Sequence, residues 1–430
     1  MSTASPINPL KILISAYACR PNVGSEPGVG WNITRTLAQY HELFVFTRSD
    51  NRPAIEAELQ NHPSDNLKFI YLDPPKWVSW LPSAQLPHYY FWQIEAYAAG
   101  KRLLETQTID LIHHITYVRY STPSFLSRLQ RPFIWGPVGG GEQAPKAFWQ
   151  SFSLRGKAYE ILRTVSHRIG ELDPSTQKTA HQSILVRATT QDTAVRLKKL
   201  GAAHVQVASA LGLSQSEIDQ FAQQPEAPSS TIRFISIARL LHWKGIYLGL
   251  QAFAQAIHTS EAPENCEYWI IGEGPERERL EKMTRSLDVV EQVKFLGSLA
   301  RDKTLQKLAE CHVLLHPSLH DSGGFVCLEA MAAGRPVICL DLGGPAVQVT
   351  PEAGILVTAD NPAQTVQALK QAMLTLAGNS ELRAQMGQAG RIHVQQNYTW
   401  EAKGKQLAKL YNNYLNSGVA VAPTTKRPSK

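Results

Sequence analysis

Short hydrophobic runs alternate with longer stretches of helical periodicity along almost the whole chain. Such runs occur at 11–17, 43–47, 67–72, 111–115, 133–135, 184–186 and 205–208. Each is too short for a helix, and helical stretches separate them, which is the order of a parallel sheet flanked by helices. A polar segment with two prolines, 223–230, interrupts the series and reads as a linker. The alternation restarts at 232–238 and continues at 269–271, 293–296, 313–315, 337–340 and 355–357. Between 245 and 258, Ile246, Leu250, Phe253, Ala254 and Ile257 fall on one helical face. Asn361-Pro362 has the form of an N-cap followed by proline at the first helical position.

This pattern predicts an α/β fold of two doubly wound, Rossmann-like domains, 1–222 and 231–395, facing a central cleft. A chain of 430 residues is too long for one core, which agrees with the division. Residues 396–417 are expected to form a helix returning to the first domain, and 418–430 a flexible tail. No run of 18 apolar residues is available to cross a bilayer, and the first nine residues lack a basic-then-apolar leader. The expectation is a cytoplasmic chain, soluble or peripheral on the inner face of a membrane. Five cysteines without CxxC spacing read as reduced, buried thiols. A net charge of +7 suits phosphates, an anionic membrane or nucleic acid. Outside the short tail 426–430 there is no Lys/Arg block and no nucleic-acid motif, so nucleic acid is not an expected partner.

The strongest chemical signal is Asp321-Ser-Gly323-Gly324-Phe325-Val-Cys-Leu-Glu329. Two carboxylates stand eight positions apart around a double glycine that follows a strand and opens a helix. Backbone can approach a ligand closely there, an anion can sit on the helix N-terminus, and both carboxylates can accept from sugar hydroxyls. A solvated Asp and Glu on an ordinary strand-turn-helix unit is the plainer alternative. Arg239 and Lys244, between the 232–238 run and the next helix, offer two cations to a nucleotide diphosphate whose leaving phosphate gains charge.

Together with Ile-Ile-Gly272-Glu-Gly274-Pro, Phe-Leu296-Gly297 and Glu329-Ala-Met-Ala-Ala-Gly-Arg-Pro-Val337, these residues resemble glycosyltransferase family 4, retaining enzymes of GT-B fold. The resemblance implies a donor site in the C-terminal domain. In it Arg239 and Lys244 hold the diphosphate, Glu329 binds the ribose, and Asp321 with the 323–325 backbone orients the transferred sugar. Gly272, Gly274, Leu296, Gly323, Gly324 and Phe325 join them as donor-binding candidates. Asp321 stands where the family commonly has Glu. By the same resemblance, the glycine-rich loop containing Gly24 and Gly28 lies beneath the donor phosphates. At the ends of two first-domain strands, His113, His114 and Thr116, then Gly139, Gly140 and Glu142, are acceptor-side candidates, with His114 also a candidate for catalysis. A histidine there can donate to a sugar hydroxyl or simply be a structural group. Many family members carry a histidine where this chain has Gly136-Pro137-Val138.

The implied reaction moves a sugar from a nucleotide-diphosphate sugar, UDP-linked in expectation, to a hydroxyl of a membrane glycolipid such as a galactolipid, or of a lipid-linked or polysaccharide acceptor. No cofactor and no metal are expected, since no Asp-x-Asp motif is present and the two cations can neutralise the leaving group. An aromatic stretch, Trp77, Trp80 and 89–92, and a basic segment, 146–168, with Leu154, Ala158, Leu162, Val165 and Ile169 on one face, suit an anionic membrane surface. Packing of a domain-capping helix is the alternative for that stripe. A soluble saccharide acceptor, a phosphorylase-like enzyme and a noncatalytic sugar-nucleotide-binding scaffold are the rival functions.

Overall fold

The computed structural model describes residues 7–78, 86–224, 227, 230–263 and 265–416. Trp80, the linker positions 225–226 and 228–229, and the tail 418–430 lie outside the described residues. All thirteen hydrophobic runs are strands, shifted by a few residues at most. Seven of them, β1 (Lys11–Ala16), β2 (Glu42–Arg48), β3 (Leu67–Leu72), β4 (Leu111–Thr116), β5 (Phe133–Val138), β6 (Leu185–Ala188) and β7 (Val205–Val207), form one sheet. Its order is β3-β2-β1-β4-β5-β6-β7, and every registered pair is parallel. The other six are β8 (Ile232–Ile237), β9 (Cys266–Ile271), β10 (Val293–Gly297), β11 (Val313–His316), β12 (Val337–Leu340) and β13 (Gly354–Val357). They form a second parallel sheet in the order β10-β9-β8-β11-β12-β13.

In both sheets the chain winds outward one way, returns to the centre and winds the other way. The direction reverses between β1 and β4 in the first sheet and between β8 and β11 in the second, and the loops leaving such a pair frame a crevice at the carboxyl end. Central strands such as Ile12-Leu13-Ile14 and Val313-Leu314-Leu315 are apolar at consecutive positions because helices cover both faces. The Asn361 cap is in place, its side chain accepting from Gln364 N at 3.0 Å at the head of the helix Pro362–Gly378. All five cysteines are buried and unpaired.

The chain divides into two compact units: Met1–Gly141 with Val165–Ala210 and Trp400–Lys430, and Glu142–Thr164 with Leu211–Thr399. This differs from a single cut near residue 222 at two places, and side-chain burial explains both. Ala144, Phe148 and Phe152 pack into the core built around Ile246, Tyr247 and Leu250, while Leu213, Ile218 and Phe221 join the core on the other face of the second sheet. Burying one phenylalanine contributes about 1.5–3 kcal/mol, enough to override proximity along the chain. The helix Trp400–Asn416 belongs to the first unit, where Gly404 lets it approach Thr36 closely.

Two surface expectations separate. Tyr89 and Trp92 lie in the first unit's core on the helix Leu86–Thr106, so they are not membrane anchors; the period of the helix turns them inward. Trp77 is exposed, its ring edge-on to Phe91 at 5.0 Å. On the helix Leu154–Leu172 the predicted stripe faces solvent instead of a core: Leu154 is 85% exposed and Leu162 71%, with Ala158, Val165 and Ile169 also exposed. Among the described residues no helix is long and apolar enough to cross a membrane.

Candidate functional site

In the second unit, the loops after β8 and β11 emerge side by side from neighbouring strands. They run together, with Leu319 N donating to Trp243 O at 2.8 Å. The first loop carries Arg239 and Lys244, the second Asp321. Lys244 Nζ is ion-paired to Asp321 Oδ2, and each side chain is 18% exposed. His316, the last residue of β11, places Nε2 3.3 Å from the same oxygen. Asp321 Oδ1 accepts from Gly323 N at 3.1 Å and Gly324 N at 3.2 Å. Both carboxylate oxygens therefore have protein partners, and Asp321 builds the loop as well as facing its cation. Burial works to raise its pKa, yet His316 and Lys244 outweigh it and hold the carboxyl well below the usual range. Burial lowers the pKa of His316, with Asp321 opposing.

Gly324 adopts φ +68°, a left-handed conformation that favours glycine, and a Cβ there would lie 2.8 Å from the Pro345 ring. The helix Phe325–Ala332 starts immediately after it. Gly272 and Gly274 serve the first loop: a Cβ on Gly272 would sit 1.9 Å from Ala238 O, and one on Gly274 2.4 Å from Leu240 O. They let the turn after β9 pack beneath the backbone that carries Arg239. The side chain of Arg239 is exposed, with no hydrogen-bond or ion-pair partner among the described residues.

Glu329 is buried one turn into the helix, 5% exposed. Arg301 Nη1 lies 2.6 Å from its Oε1, and the same guanidinium reaches Glu217 and lies over the Phe325 ring at 5.6 Å. Burial raises the pKa of Glu329 and Arg301 opposes that rise. Leu296 and Phe325 are half-buried against the same core. The second unit thus gathers Arg239, Lys244, Gly272, Gly274, Leu296, Asp321, Gly323, Gly324, Phe325 and Glu329 at the carboxyl edge of one sheet. Sequence reasoning missed Arg301 and His316. A strand-end histidine before Pro-Ser was a usable signal for His316, whereas an arginine opening a separate helix gave none for Arg301.

First-unit candidates are largely structural. His113 Nδ1 contacts Tyr411 Oη and Nε2 contacts Gly136 O, both at 2.6 Å, which leaves neither nitrogen for an acceptor. Burial, then the charge of Arg187, pushes its pKa down to about 3. His114 is equally buried, its Nε2 3.0 Å from Thr116 O, and burial pushes it down to about 4. Side chains on a central strand covered on both faces point into packing, and for that reason neither ring meets solvent. Thr116 Oγ1 accepts from Ala18 N at 3.0 Å, tying the ends of β4 and β1 together. The glycine-rich loop is shorter than expected. Gly24 is an exposed N-cap, and the helix Ser25–Leu37 already includes Gly28, whose missing side chain admits Val23 O. Gly139 bridges to Arg119, and Gly140, at φ +91°, has open space where a side chain would stand. Glu142 is a correction: it groups with the second unit, buried, its Oε2 accepting from Ser322 Oγ at 2.8 Å. Its side chain therefore closes onto the Asp321 loop of its own unit.

Among the described residues no group of three or more His, Cys, Asp or Glu side chains is placed to hold a metal ion.

Residues 217–393 match the family model described as glycosyl transferases group 1. The chain is 32% identical over 180 residues to a GDP-mannose-dependent monoacylated alpha-(1-6)-phosphatidylinositol monomannoside mannosyltransferase of Corynebacterium glutamicum, covering 40% of this chain and 45% of that protein. It is 31% identical over 190 residues to a D-inositol 3-phosphate glycosyltransferase of Corynebacterium diphtheriae, covering 43% of each. The matched segments span less than half the length of these relatives. Over the whole fold, a sucrose-phosphate synthase of Thermosynechococcus elongatus aligns with a TM-score of 0.62 at 18% identity, covering 95% of this chain and 100% of that one. The family match falls on the unit that carries the Lys244–Asp321 loops and Glu329, and the two reversing parallel sheets account for the fold match: segment 217–393 is similar to the group 1 glycosyl transferases, and the chain has the GT-B fold.

Proposed function

We propose that this protein is a retaining glycosyltransferase that moves a sugar from a nucleotide-diphosphate donor, UDP-linked in our reading, to a hydroxyl of a membrane glycolipid or another lipid-linked or saccharide acceptor. The observation that carries the proposal is the Lys244–Asp321 pair at the point of strand reversal, with exposed Arg239 on the same loop and buried Glu329 behind. Cleaving the donor's sugar–phosphate bond builds charge on the diphosphate. Arg239 and Lys244 neutralise it, so no metal or other cofactor takes part in the reaction as we read it. Glu329 accepts from the ribose hydroxyls and Asp321 orients the sugar. Attack from the face that the diphosphate leaves retains the anomeric configuration, with the diphosphate taking the acceptor proton.

A screen of UDP- and GDP-linked sugars against glycolipid and soluble acceptors, with and without EDTA, tests the proposal. Product mass spectrometry should show transfer of a hexose, or slow donor hydrolysis without acceptor, unaffected by chelation, and NMR of the product should show the donor's anomeric configuration retained. Donor binding without any turnover would favour a scaffold, and metal-dependent turnover would remove the cation-only account.

Glu329→Gln should raise the donor dissociation constant roughly tenfold while changing turnover little, because a ribose contact is made alike in ground and transition states. Calorimetry with the nucleotide diphosphate reads the change directly. Unaltered affinity would take the ribose from Glu329.

The solvent-facing stripe Leu154, Leu162, Val165 and Ile169, beside Arg155, Lys157 and Arg168, supports a lipid acceptor, since an apolar face with basic flanks suits an anionic bilayer. Wild type should sediment with phosphatidylglycerol vesicles at low salt. A variant with Leu162 and Val165 changed to Ser should bind several-fold less at any salt, and one with Arg155, Lys157 and Arg168 changed to Ser should lose the salt-sensitive part. Failure of wild type to bind any vesicle would turn the reading to a soluble saccharide.

A further inference from the structure

The Glu142–Thr164 segment, which groups with the second unit, makes a second set of contacts to the two loops. Glu160, on the helix Leu154–Leu172, is 1% exposed. Its Oε1 lies 3.0 Å from His242 Nε2 and 3.1 Å from His320 Nε2. His242 stands two residues before Lys244, and His320 immediately before Asp321. One carboxylate oxygen therefore receives an imidazole from each loop.

The surroundings allow little slack. Gly156 packs against the His242 ring, where a Cβ would fall 3.0 Å from its Cγ, and Phe152 meets that ring edge-on at 4.8 Å. Trp243 is stacked between Tyr159 and His320, at 4.8 Å and 5.1 Å with 15° between planes in both cases. Burial raises the pKa of Glu160, but the two imidazole hydrogen bonds outweigh it and bring it down to about 2, so the group is an acceptor at any working pH.

We propose that Glu160 is a positioning residue for the transfer reaction: by fixing His242 and His320 it holds the Lys244 loop and the Asp321 loop in the one register that presents their side chains to the donor. This rests on the function proposed above. Glu160 touches neither reacting group and acts only through the two imidazoles. The loops retain their own links, Leu319 N to Trp243 O and Lys244 to Asp321, so loss of Glu160 leaves the fold standing and loosens the geometry. A shift of about 1 Å at Lys244 is sufficient to cost roughly 100-fold in rate, whereas the ribose contact of Glu329 lies on another element and keeps donor binding.

The test is steady-state kinetics on full-length protein with the donor that wild type turns over. Glu160→Ala should lower kcat by about 10- to 100-fold with donor KM within about threefold of wild type. Glu160→Gln, whose amide oxygen still accepts from both Nε2–H groups, should restore kcat to within about threefold. Should the alanine variant not fold, His320→Phe keeps the stack on Trp243 and removes one of the two bonds, and should lower kcat by about 3- to 10-fold. Wild-type kcat in Glu160→Ala or His320→Phe overturns the inference, as does a glutamine variant as impaired as alanine. Wild type that turns over no nucleotide sugar overturns the proposed function itself, and the inference with it; the two failures are told apart by the wild-type measurement alone.

Discussion

Lys244→Ala should reduce kcat by at least about 100-fold, measured on the folded fraction of the variant. Lys244 is the cation that the loop after β8 places against Asp321, in a site shielded enough that each side chain is 18% exposed. A preorganised positive group facing developing charge in such surroundings supplies about 2.7–4 kcal/mol to the transition state, and alanine forfeits it. Arg239 does not substitute, because its side chain is exposed and has no partner among the described residues to fix it. Lys244→Arg should recover only part of the loss, since the planar guanidinium spans a different space from the ammonium. Single-turnover kinetics with the nucleotide sugar give the measurement. Turnover within threefold of wild type would remove Lys244 from the chemistry.

Asp321→Asn should destabilise the protein by about 3–5 kcal/mol, the cost of breaking a buried ion pair by removing one partner. The charge answers both Lys244 and His316, and the other oxygen closes the turn at Gly323 and Gly324. The pKa of Asp321 is depressed in the folded state, so its stabilisation is complete above the unfolded value of about 3.9 and is lost only as pH falls from there toward the folded value. Urea unfolding of wild type and variant should therefore differ by the same amount at pH 7 and pH 5, with the gap closing only in stronger acid. A difference that vanishes by pH 5 would contradict the assignment. Turnover should fall as well, because the Gly323–Gly324 backbone loses the carboxylate that orders it.

Strands and their parallel order were legible because both sheets are covered on two faces. Continuous apolar runs such as those at 12–14 and 313–315 have no other use in a chain that also shows helical periodicity. Local signals fared equally well where the physics is local: Asn361 caps its helix, and Gly324 takes the left-handed turn that opens another. The shared placement of four candidate residues was legible for a related reason. Arg239, Lys244, Asp321 and Glu329 sit on loops and helix starts directly after strands, and a parallel sheet sends all such positions to one edge.

The chain's own order determined the thirteen strands, the doubly wound class and the gathering of Arg239, Lys244, Asp321 and Glu329 at one sheet edge, since hydrophobic period and turn chemistry act over a few residues. Tertiary packing alone decided which partners those residues meet. Nothing near position 329 announces Arg301, and nothing near 320 announces Glu160, because a buried charge is matched by whichever side chain the fold brings within about 3 Å. Packing likewise assigned 142–164 to the second unit through Phe148 and Phe152, and closed Glu142 onto Ser322. The histidines of β4 show the converse. A strand-end imidazole looks the same in sequence whether it faces a crevice or Tyr411, and only burial on both faces of the sheet made His113 structural.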